Sequence, residues 1–309
     1  MTHLLQKVFL AWCLLLALSF ESSAHAADGQ ALRFHEIVGS DGTPLNVVET
    51  GNTAGPAVVL LHGFSQSYLS FALQLHDPEL NKRFRLIAID LRGHGGSGKP
   101  WTLEAYAGHK PWAQDLRQVV DALKLDRPII VGWSFGGYVT MDYVREYGAG
   151  AVEGLVLTGS HGGLIRRADG PPNHYDGDLD AAIENARHFM QLMTVKPVSN
   201  DAFDRGVFST LMMPAYVRNA MVQKRLDNTD MLATLAVRTL VILGEKDASL
   251  PAEKIRDVLS ENSNISVRIL PAVGHSAFME APEIFDRELL KFAMDHEVAR
   301  NAAQTVQAR

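Results

Sequence analysis

The sequence predicts an α/β protein built on a mostly parallel sheet with helices on both faces. Short runs of Val, Ile and Leu, such as "PAVVLLHG" and "PIIVGWS", end in glycine or a polar residue and show no apolar–polar alternation. Such runs are typical of strands that are buried on both faces. Stretches with apolar residues at helical spacing, such as 112–123, lie between the runs, so strand and helix alternate along the chain.

The amino terminus, residues 1–26, has the composition of a secretory signal peptide. A short region with Lys7 precedes the apolar run 8–20, and cleavage is expected after Ala26. As a helix this run rises ~20 Å, less than the ~30 Å hydrocarbon core of a bilayer, so a retained membrane anchor is the weaker alternative. The sequence therefore predicts an exported protein, periplasmic or secreted, with no stable membrane insertion after signal cleavage.

Cysteine content and charge exclude several classes of function. Cys13 is the only cysteine and lies in the predicted signal peptide, so the mature chain has neither a disulfide nor a catalytic thiol. The formal net charge is -6, whereas nucleic-acid binding needs clustered Lys and Arg to neutralise phosphates. The expected partner is a small-molecule substrate and not a nucleic acid, and no oligomeric state is predicted.

The predicted strands follow one another in a regular order. Two short runs, Leu32–Val38 and Leu45–Glu49, are separated by Asp41-Gly42, which suits a turn. The buried runs "PAVVLLHG", "FRLIAID", "PIIVGWS", "VEGLVLTGS" and "RTLVILGEKD" come next, and a last strand precedes "PAVGHS". Apolar residues at helical spacing before and after these runs predict helices that cover the two faces of the sheet.

One segment, residues 161–235, interrupts the alternation and predicts a helical cap over the edge of the sheet. It holds no convincing strand and contains six of the ten methionines. The remaining mature chain, 27–160 and 236–309, forms the predicted core. Within the cap, five residues either line an adaptable apolar pocket or pack the cap onto the core. These residues are Met190, Met193, Met212, Met213 and Tyr216.

The stretch "VGWSFGG" predicts a nucleophilic serine. Gly132-x-Ser134-x-Gly136 lies between a predicted strand and a predicted helix, Tyr138 to Tyr147. This is the setting of the G-x-S-x-G elbow, in which a sharp turn exposes the serine oxygen at the edge of the sheet. The flanking glycines leave room for the tight turn, and the start of the helix favours developing negative charge.

A serine needs a base, and the base needs a group that orients it. Asp247 and His275 follow the last two buried strands, and the chain order Ser134, Asp247, His275 is the order for this elbow type. His275 would take the serine proton, and Asp247 would hold the imidazole tautomer. Glu245 is the alternative acid, two residues before Asp247.

Two backbone N–H groups complete the predicted site. In "LLHGFSQS" the N–H of Phe64 follows a buried strand, and the N–H of Phe135 follows the serine. Both can point at the same spot and form an oxyanion hole. His62, beside this turn, is predicted to be structural. His161 and His174 show no metal-ligand spacing and are predicted to be solvated loop histidines, with contact to substrate as the alternative.

The stretch "DLRGHGGSGKP" raises the alternative of a nucleotide site, because its glycine spacing is similar to dinucleotide-binding and P-loop motifs. Pro100 follows Lys99, where a P-loop needs Ser or Thr and the start of a helix, so the sequence argues against this alternative. "DGDLDAAIE" begins like a calcium loop, but Ala181 and Arg187 occupy its sixth and twelfth positions, which contradicts the motif. The sequence therefore predicts no cofactor and no metal.

Taken together, "LLHGF", "DLRGHGGS", "GWSFGG", "GEKD" and "GHS" resemble the α/β-hydrolase superfamily in order and approximate spacing, over nearly the whole mature chain. The resemblance implies an α/β-hydrolase fold: an eight-stranded, mostly parallel sheet whose second strand is antiparallel, with a helical cap inserted after strand 6. It also implies the roles assigned above: Ser134 as nucleophile, Asp247 as acid, His275 as base, and Phe64 and Phe135 as oxyanion donors.

The resemblance implies a serine hydrolase that forms an acyl-enzyme. Its expected substrate is a small to medium, fairly apolar carboxylic ester, or a thioester or lactone. Members of the superfamily that open epoxides use an aspartate at the position of Ser134, which disfavours that activity. Two alternatives of the same class are a cofactor-free perhydrolase, similar to haloperoxidases, and a C–C bond hydrolase. A non-catalytic protein that binds a small ligand on this fold is the alternative of another class.

Overall fold

The fold is described from a computed structural model. The structure describes residues 31–166, 178–221, 224 and 226–307. The predicted signal peptide, 1–26, lies outside the described residues and stays a prediction, and so does the assignment of His174. Within the described ranges, no helix combines the length and the apolar character that crossing a membrane requires.

Eight strands of the described chain form one sheet in the order β1-β2-β4-β3-β5-β6-β7-β8. The strands are β1 Arg33–Val38, β2 Pro44–Gly51, β3 Ala57–Leu61, β4 Arg85–Ile89, β5 Ile129–Trp133, β6 Gly154–Thr158, β7 Thr239–Gly244 and β8 Ile265–Leu270. Strand β2 runs antiparallel to both of its neighbours, β1 and β4. The pairs from β4 through β8 are parallel. The predicted eight-stranded sheet with an antiparallel second strand is confirmed.

Helices cover both faces of this sheet. They are α1 Ala72–His76, α2 Pro78–Arg83, α3 Lys110–Ala122, α4 Phe135–Tyr147, α5 Leu179–Leu192, α6 Asn200–Leu211, α7 Ala215–Met221, α8 Ala252–Leu259, α9 Ala277–Glu280 and α10 Pro282–Gln307. Helices α3, α4 and α8 contribute to the hydrophobic cluster on one face. Helices α1, α2, α9 and α10 contribute to the cluster on the other face.

Strand β3 shows why the central runs have no apolar–polar alternation. Val59 and Leu61 belong to one hydrophobic cluster, whereas Val58 and Leu60 belong to the cluster on the opposite face. All four side chains are at most 1% exposed. Because successive side chains of a strand point to opposite faces, a strand covered on both sides needs an apolar residue at every position.

Three helices, α5 to α7, lie between β6 and β7, in the segment where the sequence predicts a cap. Asp178 begins α5 by accepting a hydrogen bond from the N–H of Ala181 at 2.7 Å, and Ser199 caps α6 in the same way. From Asp178 onward, the stretch that resembles a calcium loop is therefore a capped helix start, and its first two residues lie outside the described residues. The predicted boundaries of the cap, 161–235, stay a prediction.

The glycine-rich loop after β4 is fixed by its own charged residues. The Asp90 carboxylate accepts hydrogen bonds from Asn46 Nδ2 at 2.9 Å and from the N–H of Gly96 at 2.7 Å. Arg92, fully buried, donates two hydrogen bonds of 2.7 Å to the Asp115 carboxylate on α3. Lys99 Nζ donates to carbonyl groups of the loop itself. These hydrogen bonds give the loop a structural role, in agreement with the sequence argument against a nucleotide site.

Candidate active site

Ser134 lies at a sharp turn between β5 and α4. Its φ of 51° and ψ of -113° place a residue with a side chain in a region that glycine favours. This backbone conformation costs ~1–2 kcal/mol for an L-residue. A Cβ on Gly132 would lie 2.6 Å from the carbonyl oxygen of Gly136, and a Cβ on Gly136 would overlap the carbonyl oxygen of Leu61. Only glycine fits at these two positions, which explains the G-x-S-x-G spacing.

His275 and Asp247 meet above the carboxyl ends of β7 and β8. His275 Nδ1 lies 2.7 Å from Asp247 Oδ2. A carboxylate only accepts hydrogen bonds, so Nδ1 carries the proton and Nε2 of the neutral ring is left as an acceptor. The two side chains are buried, with residue exposures of 7% for His275 and 8% for Asp247. This geometry matches a base and the group that orients it.

Glu245, the alternative acid, points elsewhere. Its carboxylate accepts the N–H of Ala272 at 3.0 Å and pairs with Lys246 at 3.1 Å. Both members of this ion pair are exposed side chains. The structure therefore brings Asp247, and not Glu245, to His275.

Ser249 is a residue of the site that the sequence analysis missed. Its N–H and its Oγ donate to Asp247 Oδ1 at 2.8 and 2.7 Å. Burial alone would raise the pKa of the Asp247 carboxyl, but the hydrogen bond and charge of His275 and the hydrogen bonds from Ser249 outweigh it and lower the pKa. Asp247 is therefore ionised at neutral pH. The spacing Asp-x-Ser, a common turn signal, was the available clue.

Trp133 and Gly159 hold the His275 loop against the serine turn. Trp133 Nε1 donates to the carbonyl oxygen of His275 at 3.1 Å, and Trp133 is the residue before Ser134. A Cβ on Gly159 would lie 3.2 Å from His275 Nδ1. Within the described residues, no hydrogen bond joins Ser134 Oγ to His275 Nε2; catalytic hydrogen bonds of this kind often tighten only in the complex with substrate.

The two predicted oxyanion donors lie beside the serine. Phe135 is the first residue of α4, so its N–H has no partner within the helix. A Cβ on Gly63 would lie 3.2 Å from the Cβ of Ser134, which brings the backbone before Phe64 against the serine turn. Among the described residues, neither N–H donates a hydrogen bond. Both groups are therefore available to a ligand.

Two nearby histidines are buried. His62 Nδ1 lies 2.8 Å from the carbonyl oxygen of Gly63, and Nε2 accepts the N–H of Leu91 at 3.0 Å. Burial lowers the pKa of His62, so its neutral ring holds the turn as predicted. The prediction for His161 is wrong: it is not solvated but 3% exposed, and its Nδ1 accepts the N–H of Gly163 at 3.2 Å.

A cavity of about 750 Å³ opens between α5 and the start of α7. Its apolar wall includes Leu179, Phe189, Leu192, Leu211, Met213 and Pro214. Phe64 and Ser65 close the side toward the serine turn. Of the five cap residues considered above, only Met213 lines this cavity. Met190 packs beside Gly206 between α5 and α6, and Tyr216 stacks on Trp101 with ring centroids 3.9 Å apart.

A second cavity, of about 610 Å³, lies at the opposite end of the sheet. Its lining includes Ala57, Arg85 and Ile129, which begin β3, β4 and β5. Ser134, Asp247 and His275 line neither cavity, whereas the predicted oxyanion donor Phe64 lines the first cavity and not the second. Because open α/β sheets bind ligands beyond the carboxyl ends of their strands, the cavity beside Phe64 is the better candidate for a substrate site.

Comparison with known proteins places the chain in a family. Residues 58–288 match the sequence profile described as the alpha/beta hydrolase family. The AB hydrolase superfamily protein YisY of Bacillus subtilis (strain 168) is 26% identical over 272 residues, covering 84% of this chain and 98% of the relative. A pimeloyl-[acyl-carrier protein] methyl ester esterase of Nitrosomonas europaea is 28% identical over 257 residues, covering 78% of this chain and 96% of the relative.

The solved structure of esterase RhEst1 from Rhodococcus sp. ECU1013 superposes on this chain with a TM-score of 0.74. It is 30% identical, and the alignment covers 84% of this chain and 98% of that one. These likenesses agree with the observed α/β-hydrolase fold. The chain therefore belongs to the alpha/beta hydrolase family, as an esterase-like member.

Proposed function

We propose that the protein is a serine hydrolase that cleaves a small to medium, fairly apolar carboxylic ester, thioester or lactone through an acyl-enzyme. The observation that carries this proposal is the buried hydrogen bond between His275 and Asp247, held by Trp133 against the strained turn of Ser134. Similarity to esterases over most of the chain supports the same reaction class.

In the first half of the proposed reaction, Ser134 Oγ attacks the carbonyl carbon of the ester. His275 Nε2 takes the serine proton, and the carbonyl oxygen becomes an oxyanion that accepts hydrogen bonds from the N–H groups of Phe64 and Phe135. The tetrahedral intermediate collapses, the C–O bond to the alcohol breaks, and His275 gives its proton to the leaving oxygen. The acyl group remains bound to Ser134.

In the second half, a water molecule repeats the same steps. His275 takes a proton from water, the resulting hydroxide attacks the acyl carbon, and the proton returns to Ser134 Oγ as the acid leaves. Throughout, the ionised carboxylate of Asp247 keeps the proton on His275 Nδ1 and stabilises the imidazolium that forms twice in each turnover.

The cavity between α5 and α7 supports an apolar acyl group of moderate size. Its wall is built mainly from aliphatic side chains, and it meets the predicted oxyanion donor at Phe64. Its volume of about 750 Å³ falls in the ~300–1,000 Å³ range of small-molecule sites. Arg218 is the cationic side chain among the residues that line it.

Reaction with a fluorophosphonate tests the mechanism directly. The reagent forms an O–P bond with an activated serine and releases fluoride, and mass spectrometry of the digested protein locates the adduct. We expect one adduct, on Ser134, and no adduct on the other serines. Absence of an adduct on Ser134 at concentrations that label a known esterase would favour the non-catalytic binding protein instead.

Ala182, which lines the cavity from α5, offers a test of the acyl site. We expect kcat/KM for 4-nitrophenyl esters to rise from acetate to chains of moderate length, because each buried CH₂ contributes ~0.8 kcal/mol. Ala182→Trp should shift the optimum to shorter chains by filling the cavity. Glu184→Trp, on the exposed side of the same helix, is the matched control. A preference for large charged esters, or an unchanged optimum in Ala182→Trp, would reject this site.

A further inference from the structure

The turn that carries the predicted oxyanion donor Phe64 has an unusual conformation. The N–H of Gln66 donates to the carbonyl oxygen of Gly63 at 3.2 Å, and Ser65, the third residue of this turn, has a φ of 59°. A positive φ at the third position, after a residue whose φ is not positive, is characteristic of a type II turn, in which glycine normally occupies that position. Ser65 is 1% exposed. Surrounding groups must therefore hold a serine in a conformation that it disfavours by itself.

Two residues of the segment between β6 and β7 contact the Ser65 side chain. Ser65 Oγ donates to Met213 Sδ at 3.2 Å and accepts a hydrogen bond from Arg218 Nη1 at 2.9 Å. Met213 lies between α6 and α7, and Arg218 lies on α7. A charge-assisted hydrogen bond from a guanidinium group is stronger than a neutral one. The hydroxyl of Ser65 is thus fixed from the cap side of the turn.

The two residues after Ser65, Gln66 and Ser67, have partners on α6. Gln66 Nε2 donates to Thr210 Oγ1 at 2.9 Å and to the carbonyl oxygen of Ser65 at 3.2 Å. Ser67 Oγ and Ser209 Oγ lie 2.7 Å apart. Three consecutive polar side chains, in the turn and directly after it, therefore connect to α6, to α7 or to the residues between them. All of these contacts are buried or partly buried, where unpaired polar groups are costly.

We propose, building on the serine-hydrolase function proposed above, that Ser65 and Arg218 are positioning residues for the oxyanion hole. Helices α6 and α7 hold the strained turn and so direct the N–H of Phe64 toward the acyl carbonyl. The inserted segment then assists turnover of every ester, including those too short to fill the cavity. Its contribution should appear in kcat and be independent of acyl length.

The test compares Ser65→Ala and Arg218→Met with the wild-type protein on 4-nitrophenyl acetate and 4-nitrophenyl hexanoate. Ser65→Ala keeps the Cβ and the backbone strain but removes the hydroxyl, and Arg218→Met removes the donor while keeping an apolar stem. We expect kcat to fall ~10-fold or more in each variant, part of the ~100–1,000-fold effect of losing an oxyanion donor. Ser65 and Arg218 also line the acyl cavity, but the oxyanion hole binds the charge that develops in the transition state, so KM should stay within about twofold for both esters.

Asp230→Asn is the matched control. Asp230 pairs with Arg145 on α4 through two hydrogen bonds, so it joins another part of the inserted segment to the core without contacting the turn. This variant should keep wild-type kcat. The double variant Ser65→Ala, Arg218→Met should lose no more kcat than the single variants do. Both substitutions remove the same hydrogen bond, so their effects on kcat should not add.

Wild-type kcat in both single variants would overturn the proposal. A rise in KM with unchanged kcat, or a loss of kcat/KM that grows with acyl length, would also overturn it, because Arg218 would then act only through binding of the acyl group in the cavity that it lines. If Arg218→Met does not fold, Ser65→Ala, a change of one oxygen atom, decides alone. A wild-type protein that hydrolyses neither ester and takes no fluorophosphonate on Ser134 would instead overturn the serine-hydrolase function itself.

Discussion

Replacing Ser134 with alanine is expected to lower kcat for ester hydrolysis by roughly 10⁴- to 10⁶-fold, the loss found when the nucleophile of a Ser–His–Asp site is removed. Alanine adopts the φ of 51° with the same strain as serine, so the melting temperature should be nearly unchanged. Steady-state kinetics with a 4-nitrophenyl ester and a thermal melt of the same sample measure both quantities.

Ser134→Gly separates the effect of losing the nucleophile from the effect of backbone strain at residue 134. Glycine has no Cβ, so this variant should be as inactive as Ser134→Ala but more stable than it by about 1 kcal/mol. Retention of wild-type kcat in Ser134→Ala would show that another residue is the nucleophile. Equal stability of the alanine and glycine variants would show that the turn stores no strain.

Replacing Asp247 with asparagine is expected to lower kcat by about 10⁴-fold, because an amide no longer requires the proton to stay on His275 Nδ1 and no longer stabilises the imidazolium. The measurement is kcat for a 4-nitrophenyl ester at saturating concentration, with circular dichroism to show that the variant is folded.

Glu245→Gln is the matched control for this experiment. Glu245 lies on the same loop, carries the same charge, and binds Ala272 and Lys246 instead of His275. Its kcat should stay within about twofold of wild type, as expected for an exposed side chain outside the site. If Glu245→Gln instead showed the large loss and Asp247→Asn did not, the assignment of the acid would be wrong.

The sheet could be predicted well from the sequence because burial leaves a clear pattern. The core strands β3 to β7 are apolar at almost every position, and each was predicted within a few residues of its observed ends. The order of the strands, in which β4 lies between β2 and β3, leaves no such pattern, since it depends on contacts between distant parts of the chain. The family resemblance predicts the number of strands and the antiparallel second strand, whereas the order comes from the structure alone.

The candidate site was predictable to the level of loops but not of individual contacts. Asp247 and Glu245 follow the same strand, and only the fold shows which one faces His275. Ser249 and Trp133 support the pair through hydrogen bonds that no local motif specifies. Among the cap residues, methionine is common both in cores and in pockets, so the sequence did not distinguish Met213 from Met190.

The inserted helices α5 to α7 have a consequence for engineering chimeric enzymes. The insertion leaves the sheet after β6 and returns before β7, and these two strands pair directly in parallel, so exchanging the helices breaks no ladder hydrogen bond. Doubling the length of such an excursion costs only ~0.6 kcal/mol in closure entropy. A helical segment transplanted from another hydrolase should therefore fold on this scaffold. It must supply a hydroxyl group that binds Gln66 and a guanidinium group that binds Ser65.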